Sequence, residues 1–270
     1  MRRRTWTGLP ALIAVLAIAA AAVVVLFVVR DGDDSAGSGG TPAYTGVFGA
    51  LRASLPVRNL SLKPPPDRVG GPSWPIATVR PGHRIDLHAS PGGKVLARVG
   101  DRTEFGSVRI FWIEQMRGDW FGVPAPELPD GQLAWIKDDR LALDVSQTRF
   151  WITADVSQQT LELHYGNRVL ERIPVTVGSP GSPTPLGNYS ITDGLAGRDV
   201  GTYYGCCILA LTGHQPNLPA NWLGGDRIAI HGTPYAIGGA RSAGCLRASN
   251  NDMVSLFARA PLGTPVFIRA

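Results

Sequence analysis

From about Trp74 onward, turn signals break this chain every ten residues or so, and little between them is long enough for an extended helix. Ser90-Pro91-Gly92-Gly93, Pro129-Asp130-Gly131 and Gly166-Asn167 are the clearest. Glycine supplies positive φ and proline presets the turn, so the stretches between read as strands. The chain holds 33 glycines and 22 prolines in 270 residues, which favours many turns and short strands over long helices. Apolar residues make up 44% and charged residues 17%, enough to bury a core and too apolar for a wholly disordered chain. Collagen and coiled coil are excluded on the same grounds.

Two blocks of strands follow. In residues 72–146 the spacing predicts Arg84–Ala89, Lys94–Val99, Ser107–Gln115, Trp120–Val123 and Gln132–Lys137 as the strands of a small barrel. The order of steps, with Gly118-Asp119-Trp120 and the Gly131–Ile136 stretch containing Trp135, resembles a bacterial SH3-like domain. In residues 147–270 the strands lengthen: Phe150–Val156, Thr160–Tyr165, Arg168–Val177, Asn188–Thr192, Cys207–Leu211, Arg227–His231 and Pro265–Arg269. One helix is signalled after Ser249 or Asn250. Asp252 falls in its first turn, Met253, Leu256 and Phe257 share a face, Arg259 closes it, and Pro261 and Gly263 stop it.

The amino terminus sets an expected location. Leu9 to Val29 is an uninterrupted apolar run of 21 residues, about 31 Å as a helix and close to a bilayer's hydrocarbon thickness. Arg2, Arg3 and Arg4 precede it, so the positive-inside rule places residues 1–8 in the cytoplasm and everything after Arg30 outside. A cleaved signal peptide is the alternative, but the run exceeds the usual core of about 7–15 residues. Residues 30–71, beginning DGDDSAGSGGTP and containing Pro64-Pro65-Pro66, read as a linker. The expectation is a single-pass protein of a bacterial cell membrane with an extracytoplasmic body. The net charge of +5 is spread along the chain, with no Lys/Arg block that would argue for nucleic acid. No residue set has metal-ligand spacing, and no cofactor is expected.

The chemistry concentrates in Ile228–Ser249. His231 leaves the end of an apolar strand, and thirteen residues separate it from Cys245, which Gly244 and Leu246 flank. Gly238-Gly239 lets the loop turn back so that the two can meet. A free thiol is mostly protonated at neutral pH, and a neighbouring imidazole that takes its proton makes a strong nucleophile. Backbone N–H groups at Gly244 and Cys245 are candidates to hold an oxyanion, an effect of about 3–4 kcal/mol. Arg247 is a fixed cation whose fork suits a carboxylate. Alone, each of these residues has an ordinary structural reading; within 17 residues and between glycines they point to nucleophilic catalysis.

At this point a family resemblance appears. His231-Gly232-Thr233, then Ser242-Ala243-Gly244-Cys245-Leu246-Arg247, resemble the catalytic motif of L,D-transpeptidases with a YkuD-type domain. Ser182-Pro183-Thr184-Pro185-Leu186-Gly187-Asn188-Tyr189 and Gly263-Thr264-Pro265-Val266 resemble two further signatures of that family. Ala243 departs from the histidine common at its position, so the base role rests on His231.

The expected protein is mainly β: a transmembrane helix from the apolar run, a small SH3-like barrel, then, as the L,D-transpeptidase resemblance implies, a β-sandwich-like catalytic domain with one or two short helices. It implies peptidoglycan stem peptides as substrate, 3→3 crosslinks as product and carbapenem-type compounds as inhibitors. Cys245 would be the nucleophile and His231 the acid/base. Gly244 would supply the oxyanion N–H, and a carbonyl at Gly232 or Thr233 would orient His231. Arg247, Ser242, Thr233, Tyr203 and His214 are the candidate substrate contacts. Two other readings stay open: a sortase-like cysteine transpeptidase, and a wall-binding membrane protein without activity. Cys206 and Cys207 are expected as buried thiols, since a bond between neighbours closes a tight ring. His83, His88 and His164 are expected at the surface or as filler.

Overall fold

The computed structural model describes residues 70–220 and 222–270, all of them within one compact unit. The apolar run 9–29 and almost all of the linker lie outside the described residues. Among those described, no helix is long and apolar enough to cross a membrane.

The first eight strands are β1 (Trp74–Val79), β2 (Arg84–His88), β3 (Val95–Gly100), β4 (Ile110–Trp112), β5 (Gln115–Arg117), β6 (Trp120–Pro124), β7 (Leu133–Lys137) and β8 (Leu143–Thr148). They form a five-stranded sheet in the order β3-β2-β7-β6-β5 and a three-stranded sheet in the order β4-β1-β8. Ala77, Leu87, Val123 and Ile136, all fully buried, draw side chains from both sheets into one core. The two-layer β unit agrees with the strand spacing; its likeness to an SH3-like domain rests on the sequence. The run Ser107–Gln115 divides into β4 and β5, and β1 and β8 are strands that the turn signals do not announce. β8 lacks clean alternation because only its two end residues are buried.

Ten more strands follow: β9 (Phe150–Asp155), β10 (Thr160–Tyr165), β11 (Arg168–Pro174), β12 (Val177–Gly178), β13 (Gly187–Ala196), β14 (Cys207–His214), β15 (Arg227–Thr233), β16 (Ala240–Ser242), β17 (Leu246–Ser249) and β18 (Pro265–Arg269). Eight of them join in the order β11-β10-β9-β18-β13-β14-β15-β17, while β12 and β16 pair separately. β13 is the hinge of this sheet. Gly187–Ser190 pair with β18 and Ile191–Ala196 pair with β14, the latter with a register shift between Ile191 and Asp193. Side chains from both halves, including Ile152, Leu161, Ile191, Leu209 and Ile230, close on one core. Strand β10 shows why: in TLELHY, Leu161 and Leu163 are fully buried while Glu162 stays partly exposed, the alternation of a half-buried strand.

Three helical segments occur among the described residues. α1 (Gly197–Val200) and a 3₁₀ turn (Thr202–Tyr204) link β13 to β14. α2 (Asn250–Arg259) follows β17 directly; Ser249 caps it by accepting the Asp252 N–H at 3.1 Å, and Met253, Leu256 and Phe257 face the core as their spacing requires.

The two β units are packed against each other. Trp74 and Trp112 from the first meet Trp151 and Phe267 from the second, with ring centroids 5.3–6.3 Å apart. Asn188 donates to Glu114 at 2.7 Å, and Asp130 accepts from the Tyr189 hydroxyl and the His214 N–H. Leu209 sits in the middle of the larger core. Leu209→Ala is expected to cost about 2–5 kcal/mol, read as a lower midpoint in urea unfolding with an unchanged slope.

Candidate active site

The parallel pairing of β15 with β17 builds the site. Its register sets Ile230 beside Leu246 and His231 beside Arg247. Ile230 and Leu246 point into the core, so by the alternation of strands His231 and Arg247 share the opposite face. β14 adds Ile208 next to His231 and Ala210 next to Ala229 on that face. Cys245 stands one step before β17. It lines a cavity of about 670 Å³ together with Ile208, Ala210 and Ala229. The fold therefore brings His231, Cys245 and Arg247 to one side of the sheet, although the intervening segment, β16 included, runs elsewhere.

His231 is fully buried and its Nδ1 lies 2.7 Å from the Gly232 carbonyl. A carbonyl only accepts, so Nδ1 carries the proton and Nε2 presents its lone pair. That Nε2 is buried without a hydrogen-bond partner. Burial holds the imidazole pKa down at about 4, with the Gly232 carbonyl opposing weakly. Burial likewise pushes the Cys245 thiol up to about 11, against a hydrogen bond from the Ala229 N–H. The resting pair is thus a thiol and a neutral imidazole, rather than a thiolate beside an imidazolium.

Tyr203 and Tyr204 roof this face. The Tyr204 ring centroid is 4.9 Å from that of His231, and the Tyr203 ring lies 5.8 Å from it. The Arg247 guanidinium stands over Tyr203 at 4.6 Å. Its Nε is buried without a partner, and no carboxylate pairs with it among the described residues. Burial lowers its pKa, so Arg247 is a partly desolvated cation two residues from Cys245.

The roof is pinned from behind by contacts between segments far apart in sequence. Asn250, the first residue of α2, accepts the Cys206 N–H at 2.9 Å. A Cβ on Gly232 would lie 2.4 Å from Asn250 Oδ1, and one on Gly205, whose φ is +61°, would lie 2.2 Å from the same atom. Only glycine admits this approach. Cys206 and Cys207 are joined by a disulfide, which corrects the expectation of two thiols. Both bonded sulfurs sit at the step from the roof into β14.

The remaining predicted residues divide. Ser242 is buried; its Oγ donates to the Cys245 carbonyl at 2.6 Å and accepts the Gly244 N–H at 3.0 Å, so it shapes the turn that presents the cysteine. An oxyanion at Gly244 would compete with Ser242 for that N–H. Gly244 has a φ of +114°, and a Cβ there would strike the Gln215 amide at 2.1 Å. Gln215 is a residue the sequence did not signal: it is buried and ties this turn to Pro183 through a 2.8 Å hydrogen bond. Thr233 is buried, and its hydroxyl accepts the Tyr235 N–H. His214 lies at the far end of β14, bonded through its N–H to Asp130, and is not in the cavity wall. His164, expected at the surface or as filler, is buried and stacked on Trp151 at 3.9 Å. No cluster of three or more His, Cys, Asp or Glu suited to a metal ion occurs among the described residues.

Residues 149–268 match the family model of the YkuD L,D-transpeptidase catalytic domain. This domain is a little under half of the chain and contains the whole β15–β17 site. The chain is 32% identical over 121 residues to a putative L,D-transpeptidase YkuD of Bacillus subtilis, covering 44% of this chain and 65% of that protein. It is 30% identical over 125 residues to its counterpart in Bacillus licheniformis, covering 43% and 64%. The match spans less than two thirds of either relative. Bd1075 of Bdellovibrio bacteriovorus, a solved structure, overlaps 45% of this chain and 48% of its own at 24% identity and a TM-score of 0.37. An L,D-transpeptidase structure from Mycobacterium smegmatis overlaps 58% and 80% at 16% identity and a TM-score of 0.37.

The neutral pair has a measurable signature. Alkylation of Cys245 by iodoacetamide is expected to rise about tenfold per pH unit from pH 7 to 9, with no plateau near neutrality. A plateau there would mark a preformed thiolate. His231 adds a stability effect of defined sign. The unfolded chain takes up a proton near the ordinary value of 6.5, whereas the folded state resists until about 4. Stability should therefore fall as pH drops from 6.5 toward 4, seen as a declining unfolding midpoint that His231→Gln flattens.

Proposed function

We propose that the protein is a peptidoglycan L,D-transpeptidase that works through a thioacyl intermediate on Cys245. One observation carries the reading: a buried histidine whose Nδ1 is committed to a carbonyl, leaving Nε2 unpartnered on the strand face that also bears Cys245. The domain-level match over residues 149–268 supports it.

The Cys245 sulfur attacks the carbonyl of the third stem residue, and the thiol proton passes to His231 Nε2. The oxyanion is held by the Cys245 backbone N–H and by the Gly244 N–H, which exchanges Ser242 Oγ for it as the charge develops. The C–N bond breaks, and His231 returns its proton to the departing D-alanine amine, leaving a thioester. The side-chain amine of a second stem then attacks this thioester. His231 takes a proton from that amine and delivers it to the departing sulfur, restoring the thiol. The product is a 3→3 crosslink. A lowered histidine pKa suits the first step poorly in isolation, so proton transfer accompanies attack rather than preceding it. The Gly232 carbonyl keeps the imidazole in the right tautomer and orientation throughout. Arg247, unpaired and partly desolvated, is suited to a carboxylate of the donor.

In this reading residues 9–29 anchor the chain in the cell membrane with residues 1–8 in the cytoplasm. Residues 30–71 then tether the catalytic part outside it, where the wall peptide lies. Carbapenem-type compounds, which offer a strained amide to the same sulfur, are the expected inhibitors.

Intact-mass analysis tests the assignment. A carbapenem or a stem tetrapeptide is expected to add one acyl group to the wild type and none to Cys245→Ala. His231→Ala should keep the fold and lower the acylation rate by about 10²–10⁴-fold. An adduct that survives Cys245→Ala would overturn the nucleophile.

A further inference from the structure

The cavity that holds Cys245 is not made by the YkuD-type domain alone. Phe105, from the loop between β3 and β4 of the N-terminal β unit, lines it as well. This ring belongs to neither hydrophobic core and is only partly buried, so packing within its own unit does not explain its place. An aromatic side chain directed into a cavity beside a nucleophile is available to a ligand.

The loop that carries it is fixed at both ends. Within its own unit, Arg109 is buried and bonds the Gly100 carbonyl at 3.0 Å, the Arg102 carbonyl at 3.1 Å and Glu127 at 2.8 Å. The Thr103 N–H meets the Ser107 carbonyl at 3.0 Å and closes the turn. Across the boundary, the Thr103 hydroxyl donates to Asp193 on β13, and Glu104 pairs with Arg227 on β15. Arg227 is itself held by the Leu211 carbonyl and the Thr192 hydroxyl, each at 2.9 Å, and its guanidinium lies 5.9 Å from the Phe105 ring centroid. The ring is therefore placed by the strands that also carry His231.

The lining says what would touch it. Beside Phe105 stand Leu195, Tyr203, Ile208 and Trp222, and no acidic side chain lines the cavity among the described residues. The one charged group in the wall, Arg227, is already paired with Glu104. The free cation, Arg247, stands outside this wall. A neutral, apolar part of a ligand fits the cavity, while its anionic end fits Arg247.

We propose that Phe105 is a specificity-determining contact for the acyl donor, taking the aliphatic part of the peptide that acylates Cys245. The N-terminal β unit thereby becomes part of the donor site rather than a spacer. This rests on the transpeptidase reading above. It goes beyond that reading by assigning a substrate contact outside the matched domain.

The test compares acylation of the full chain by two tetrapeptide donors, one with a long aliphatic side chain at the reacting residue and one with a methyl there. Wild type should favour the long donor. Phe105→Ala is expected to raise KM for the long donor about tenfold with kcat little changed, and to narrow the preference. Iodoacetamide alkylation of Cys245 and thermal stability should stay at wild-type values, which a structural role would not allow. Phe105→Leu, with a milder loss of ring area, should fall between the two. Leu96→Ala, on an exposed position of the same unit, should leave KM unchanged. Equal KM and equal preference in wild type and Phe105→Ala would overturn the assignment of Phe105 while leaving the transpeptidase intact. A wild type that neither donor acylates would overturn the transpeptidase itself and the donor site with it.

Discussion

The parallel pairing of β15 with β17 is the constraint on which the rest of the molecule turns. Two strands close in sequence can pair in parallel only if the chain between them crosses back, and here the 234–245 segment does so through β16 and two glycines of positive φ, Gly238 and Gly239. The register that results puts His231 beside Arg247 and Cys245 at the mouth of the same face. A slip of one residue would turn His231 into the core and Ile230 out of it. The fully buried Ile230 and Leu246 hold the register, so the core of the domain and the geometry of the site depend on the same contact.

The electrostatics follow from burial. His231 and Cys245 are both driven toward their neutral forms by burial, the largest influence on each. Such a site stores no ion pair at rest. It holds a lone pair, a thiol and an unpaired guanidinium on one side of the sheet. The Tyr203–Tyr204 roof covers the His231 ring on this face. Behind it, Gly205, Gly232, Cys206 and Asn250 pack so closely that side chains on either glycine would collide with the asparagine amide.

The two β units share this site more than their separate cores suggest. The Trp74, Trp112, Trp151 and Phe267 cluster locks them together on one side. The Thr103–Asp193 and Glu104–Arg227 pairs fasten them near the cavity. Charged pairs that cross such a boundary hold orientation better than they add stability, since each also gives up hydration. Orientation is what a cavity wall assembled from two units requires.

Much of this was legible in the residues themselves. The alternation of β9 and β10, the cap and apolar face of α2, and the His231, Cys245 and Arg247 cluster all follow from local chemistry that a linear pattern records. The family resemblance points to a carbonyl at Gly232 or Thr233 as partner of His231, and the fold selects Gly232. What the sequence could not hold were contacts between residues far apart: Asn250 on Cys206, Gln215 under Gly244, Phe105 in the cavity. Each is an ordinary residue whose role comes from what folding places beside it. Between surface and filler, the sequence left His164 open for the same reason, since the packed Trp151 is what makes it an interior residue. The sulfur bond between Cys206 and Cys207 likewise depends on the backbone path from the roof into β14. Local spacing determines which side chains an element can present; only the packing of elements decides which of them meet, because a meeting depends on the whole path of the chain between them.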